Sequence, residues 1–95
     1  MKVVWARRAT LARHDLIDFI AKDNVLAALE VDDTITTAVL RLEKFPLLGK
    51  PGRIDGTREL VVNQHYILVY EIVDDTIIIL MVLHTSRLWP PVDAE

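Results

Sequence analysis

YILVYEIV at Tyr66–Val73 and TIIILMVL at Thr76–Leu83, separated only by Asp74-Asp75, decide the reading of this chain. Both runs are nearly unbroken series of β-forming apolar residues, and the aspartate pair suits a tight reversal, so the stretch reads as a β-hairpin. Strands that are apolar on both faces belong in the middle of a sheet, where each face needs a cover.

Working back from the hairpin, Arg58–Asn63 is strand-like and supplies an antiparallel neighbour. Pro46–Gly56 holds all three glycines and two of the four prolines, which predicts a loop with several fixed turns. Ahead of it, Val25, Ala28, Leu29, Ile35, Ala38, Val39 and Leu42 recur at helical spacing from an Asn24 cap until Pro46 forbids continuation. Thr34, Ile35, Thr36 and Thr37 are β-branched and lower the helix propensity there, so packing has to override it. A first helix is read from Thr10 to Asp23, carried by Leu11, Leu16, Ile17 and Ile20, and the two should form an antiparallel hairpin. Lys2–Trp5 is a short first strand. The predicted architecture is α+β: an N-terminal strand, a two-helix hairpin and a mainly antiparallel four-stranded sheet. Two helices hide one sheet face, so the other is expected to be an exposed apolar surface that receives a partner.

Ninety-five residues at 52% hydrophobic content suit one small domain spanning 1–95. With no cysteine there is no disulfide framework and no thiolate metal site. Met1–Ala9 lacks the apolar core of a signal peptide and no later stretch is long enough for a membrane span, so a soluble cytoplasmic protein is expected. Eleven Lys and Arg against fourteen Asp and Glu give a formal charge of -3, which excludes a protein that coats nucleic acid by bulk electrostatics. The charges are segregated. Asp15, Asp18, Asp23, Glu30, Asp32 and Asp33 cluster early, whereas Lys44, Lys50, Arg53 and Arg58 crowd the middle, so one face is expected to be acidic and another basic.

No serine or threonine has the setting of a nucleophile elbow. His14, His65 and His84 lack the paired spacing of a zinc site, and Gly49, Gly52 and Gly56 open no helix that would cradle a phosphate. No cofactor is called for. Arg58 begins one strand while His84 and Arg87 follow the last, and adjacent antiparallel strands would bring these ends together. Such a trio would hold phosphate charge on the arginines and use His84 as acid or base. The plainer reading is that the arginines are solvated or paired with a carboxylate such as Glu59. Tyr66 and Tyr70 share a strand face by even spacing; Tyr70 reads as core, while Tyr66 is open to either role. Trp5 reads as a packing anchor, and Trp89 is left open between anchor and aromatic platform.

Four segments, Gly49-Lys50-Pro51-Gly52-Arg53, Gly56-Thr57-Arg58-Glu59-Leu60, His65-Tyr66-Ile67-Leu68-Val69-Tyr70 and Leu83-His84-Thr85-Ser86-Arg87-Leu88-Trp89-Pro90, stand in register behind the helix hairpin. Together they resemble the RelE/ParE superfamily, the plasmid-stabilisation toxins of type II toxin-antitoxin pairs. The resemblance implies the same α+β fold and a cognate antitoxin whose C-terminal part, disordered alone, lies over the helices and sheet as a toxin-antitoxin hetero-oligomer. It implies antitoxin contacts at Leu16, Ile20, Val39 and Leu42, and target contacts at Lys50, Arg53, Arg58, Tyr66, Met81 and Trp89. RelE-like members cut ribosome-bound messenger RNA, which would make Arg58, His84 and Arg87 catalytic; ParE-like members inhibit DNA gyrase without a hydrolytic centre. Ile67 stands where many nuclease members have Arg before Leu-Val-Tyr, Met81 stands where Arg is common three residues before the His, and Leu83-His84 is closer to ParE-like endings. The ParE-like, non-enzymatic alternative is therefore favoured over the ribosome-dependent endoribonuclease. Strict alternation would set Met81 on the face of Ile79 and Leu83, opposite Leu80 and Val82.

Overall fold

The computed structural model describes residues 1–86. The chain begins with strand β1 (Lys2–Trp5), continues through helices α1 (Arg7–Asp23) and α2 (Val25–Lys44), and ends in strands β2 (Lys50–Pro51), β3 (Thr57–Val61), β4 (Tyr66–Val73) and β5 (Thr76–His84). One sheet contains all the strands in the order β1-β5-β4-β3-β2. The β2 to β5 pairings are antiparallel, and among the described residues only β1 on β5 is parallel. The expected α+β architecture is therefore present, with five strands where four were read. The additional one is a two-residue pairing inside the predicted loop, Lys50 with Glu59 and Pro51 with Arg58. Pro51 is tolerated there because β2 is an edge strand.

Local chemistry accounts for the helix limits. Asn24 caps α2 by accepting the Ala27 N–H at 3.0 Å. The second helix stops at Lys44 because Phe45 precedes Pro46, and a residue before proline is pushed toward extended backbone. Packing does override the β-branched run: Ile35 is fully buried, and the Thr34 hydroxyl donates to the Glu30 carbonyl one turn back. The first helix starts at Arg7 rather than Thr10. Ala6 is its N-cap and makes no side-chain cap bond, so no capping residue marked the true start. Instead the Ala6 N–H donates to the Ile79 carbonyl at 2.9 Å, so the chain passes from β1 into α1 while still bonded to β5.

Both helices pack on one sheet face over a core that contains Ala9, Ile35, Ala38, Leu42, Leu60, Leu68, Tyr70, Ile77, Ile79 and Val82. The opposite face departs from expectation. Its central residues Val69 and Leu83 are buried, 0% and 2% exposed, in a second cluster with Leu80 and Met81 packed against them. Exposed apolar surface lies mainly elsewhere, at the turn of the helix hairpin and in the loop after α2.

A β-bulge explains part of this distribution. Val69 pairs with Met81 but Tyr70 pairs with Ile79, which leaves Leu80 as an extra residue on β5. The bulge breaks the alternation, so Met81 and Leu83 lie in the second cluster while Ile79 lies in the first. Met81 therefore does not share a face with Ile79, as strict alternation required. Asp74 reverses the chain between β4 and β5 with φ 56°, a left-handed backbone that aspartate tolerates better than most residues. Among the described residues, no helix is long and apolar enough to cross a membrane.

Candidate functional site

Of the proposed cationic trio, Arg58 and His84 are not brought together by this register. Arg58 pairs with Tyr70, whereas His84 pairs with Tyr66, at the other end of β4. Those levels are four residues apart, roughly 13 Å along a strand. β3 and β5 run in the same direction on either side of β4, so the start of one and the end of the other lie at opposite ends of the sheet. Arg87 lies outside the described residues, as does Trp89.

Arg58 and Arg53 hold the loop between α2 and β3. Arg58 donates from Nε to the Gly49 carbonyl at 3.0 Å and from Nη2 to the Leu47 carbonyl at 3.4 Å. Glu59, 3% exposed, accepts from the Arg53 backbone N–H at 3.0 Å and from its Nε and Nη2 at 3.3 and 3.2 Å. The fully buried Tyr70 adds a third hold: its hydroxyl donates to the Pro46 carbonyl at 2.7 Å and accepts the Gly49 N–H at 2.9 Å. Gly49 permits this close approach, because a Cβ there would stand 2.8 Å from the tyrosine ring edge and 2.9 Å from the Glu59 carbonyl oxygen. Outside these holds, Phe45, Leu47 and Leu48 are 62%, 68% and 38% exposed, and Lys44 and Lys50 are exposed beside them.

At the other end of β4 the side chains of His65, Tyr66 and His84 form a ring cluster. The two imidazoles stack with centroids 5.8 Å apart, and the Tyr66 ring meets His84 edge-on at 5.5 Å. Asn63 shapes the preceding turn by accepting the N–H groups of His65 and Tyr66. His84 Nδ1 accepts the Ser86 N–H at 3.1 Å, which leaves the ring proton of the neutral form on Nε2. Beside this cluster Ala12, Asp15, Leu16 and Phe19 of α1 face Met81, Val82 and His84 of β5 across an open groove of about 430 Å³. Sequence reasoning placed Tyr66 and His84 in a site but treated His65 only as a rejected metal ligand. Its proximity follows from the cross-strand pair of Tyr66 and His84, which the bulge at Leu80 creates: the unbulged register counted from the turn would set Leu83 opposite Tyr66.

The helix hairpin is tied by Arg13, whose Nε donates to Asp32 at 2.9 Å while its Nη2 reaches the Asp32 carbonyl and the Thr36 hydroxyl. The guanidinium also stands 5.1 Å from the Trp5 ring centroid, consistent with the packing role expected for Trp5. Near the hairpin turn, Phe19, Val25, Leu26 and Leu29 are 70%, 61%, 74% and 55% exposed. Asp15, Asp18, Asp23, Glu30 and Asp33 are exposed on the same two helices. Of the residues assigned to the antitoxin, Leu16, Ile20 and Val39 are half-buried, but Leu42 is 0% exposed in the core and offers a partner no surface. Its helical spacing was read correctly as apolar, but pattern alone does not separate the inner stripe of a helix from the outer one.

Comparison with known proteins covers nearly the whole chain. The family described as the ParE toxin of type II toxin-antitoxin system, parDE, matches residues 3–89. The chain is 40% identical over 92 residues to Y4kP of Sinorhizobium fredii, a protein named in the toxin class, spanning 96% of this chain and 95% of the relative. It is 31% identical over 87 residues to toxin RelE2 of Caulobacter vibrioides, spanning 92% and 98%. Among solved structures, a chain from the chromosomal ParDE system of P. aeruginosa superposes with TM-score 0.78 at 20% identity, covering 90% of this chain and 97% of that one. A YoeB/ParE toxin from Agrobacterium tumefaciens follows at TM-score 0.60 and 14% identity, covering 90% and 100%. The hairpin on a five-stranded sheet, the helix-capped register and the family match over residues 3–89 converge: this chain is a toxin of the ParE family of type II toxin-antitoxin systems, within the RelE/ParE superfamily.

Proposed function

We propose that this toxin arrests growth by binding DNA gyrase without hydrolytic chemistry, and that its cognate antitoxin neutralises it from the helix hairpin. The observation that carries the first half is the commitment of Arg53 and Arg58 to the loop after α2, far from His84. A phosphate-cleaving centre needs cations converging on the charge that develops in the transition state. Ile67 and Met81, on the neighbouring central strands, supply none. The exposed apolar side chains near the hairpin turn support the second half, because an amphipathic segment would cover them. The surrounding acidic side chains favour a segment with basic flanks.

Purified toxin added to gyrase with relaxed plasmid, in the absence of ribosomes, should block supercoiling or trap cleaved DNA. Unimpaired supercoiling beside messenger cleavage on programmed ribosomes would reject the proposal. One observation favours that second reading: the His65, Tyr66 and His84 rings form a surface on which a base could stack, with an imidazole available for proton transfer. On that reading His84→Ala abolishes cleavage while Arg58→Ala acts only through the loop.

A further inference from the structure

The loop after α2 combines two properties that ordinary packing does not require together. Its backbone is held from within by Tyr70, Glu59 and Arg58, two of them buried, yet its own large side chains point away from the core. Phe45, Leu47 and Leu48 add little to folding at their exposure, while the groups that fix them are inside the protein. Holding exposed apolar groups in one backbone conformation before contact lowers the ordering cost of binding. Charge narrows the occupant. Lys44 and Lys50 are exposed beside this segment and the Arg58 guanidinium donates to its carbonyls, against Glu43 and Asp55, while Arg53 is neutralised by Glu59. Near the hairpin turn the balance is opposite, with Asp18, Asp23 and Glu30 exposed against Lys22.

We propose that residues 45–48 form a second protein-docking surface, separate from the helix hairpin, that takes an acidic protein segment carrying apolar anchors. A protein segment fits better than nucleic acid, since three adjacent apolar side chains offer nothing to phosphates and so few cations release few counterions. Opposite charge at the two surfaces directs segments of different composition to each. The inference stands apart from the identity of the growth-arrest target.

The test selects peptides of twelve random residues by display on the intact chain, with counter-selection on a Phe45→Ser/Leu47→Ser variant. Both substituted residues are exposed, and melting curves check that the variant keeps its fold. The surviving peptides should be rich in Asp and Glu around Leu, Phe or Trp. They should bind the wild-type chain about tenfold or more tighter than the variant, as loss of interface anchors produces. A Lys44→Glu/Lys50→Glu variant should weaken them further at low salt than at high salt. No surviving class, or survivors that are basic or uncharged, would overturn the proposal. So would binding of a short duplex DNA that needs Lys44 and Lys50 but is indifferent to Phe45 and Leu47, since that result assigns the surface to nucleic acid.

Discussion

Replacing Tyr70 by Phe removes one oxygen and should loosen a whole loop. The ring stays, so no cavity opens in a site where the side chain is 0% exposed. Two bonds go: the hydroxyl no longer donates to the Pro46 carbonyl and no longer accepts the Gly49 N–H. Each is worth about 1 kcal/mol net, and a buried donor left unpaired adds about 1 kcal/mol or more. Gly49 is buried, so its N–H has little access to water, whereas Pro46 is half-buried and its carbonyl can be hydrated. The expected loss is therefore about 2–3 kcal/mol, or roughly 10–20 °C in melting temperature for a domain of this size. Urea denaturation gives the first figure. Hydrogen exchange gives the location, with Gly49 losing protection far more than the β4 and β5 amides, which exchange only on global opening. A loss below about 0.5 kcal/mol, or a uniform fall in protection, would refute the claim that the tyrosine hydroxyl organises the loop.

Arg53→Ala strips the 3% exposed Glu59 of its side-chain partner and should cost about 1–3 kcal/mol by denaturation, less than a fully buried pair because the Arg53 side chain is 44% exposed. Adding Glu59→Gln to that variant should recover part of the loss, and a further drop would contradict the pairing. Met81→Arg places a charge against Val69 and Leu83 and should destabilise by about 1–3 kcal/mol; gain of growth inhibition with an unchanged melting temperature would show that the side chain turns outward instead. Asp74→Val forces a β-branched residue to adopt φ 56° and should cost about 1–2 kcal/mol in a thermal melt, whereas Asp74→Asn should be nearly neutral.

The reading of β4 as Tyr66–Val73 was legible because its apolar run ends at a residue pair suited to a turn, and the Asn24 cap was legible because its chemistry is local. The failures were non-local. Nothing beside Leu80 in the sequence signals an extra residue, since the bulge exists only relative to β4, and one slipped position reassigned Met81 to another face. Arg58 and His84 were joined by assuming that strand ends in sequence are neighbours in space; strand order and direction decide that. The plainer option for the arginines was partly visible in the sequence. Glu59 was named as a partner for a strand-end arginine, but Arg53, six residues away, holds it, and the turn between them is made by loop geometry that composition alone does not specify.

The parallel pairing of β1 with β5 matters while the chain is being made. Lys2 waits for Thr76 and Ala6 for Ile79, so the first strand emerges from the ribosome on the order of ten seconds before its partner strand β5. Until then the helix hairpin has no sheet to rest on, and its inner residues Ile35, Ala38 and Leu42 are as available as its outer ones. Closure of β1 on β5 is thus the late, non-local step of sheet formation, whereas β3, β4 and β5 pair between sequence neighbours. If the antitoxin docks on the helix hairpin as proposed, that surface is made before β5 and the sheet that backs it.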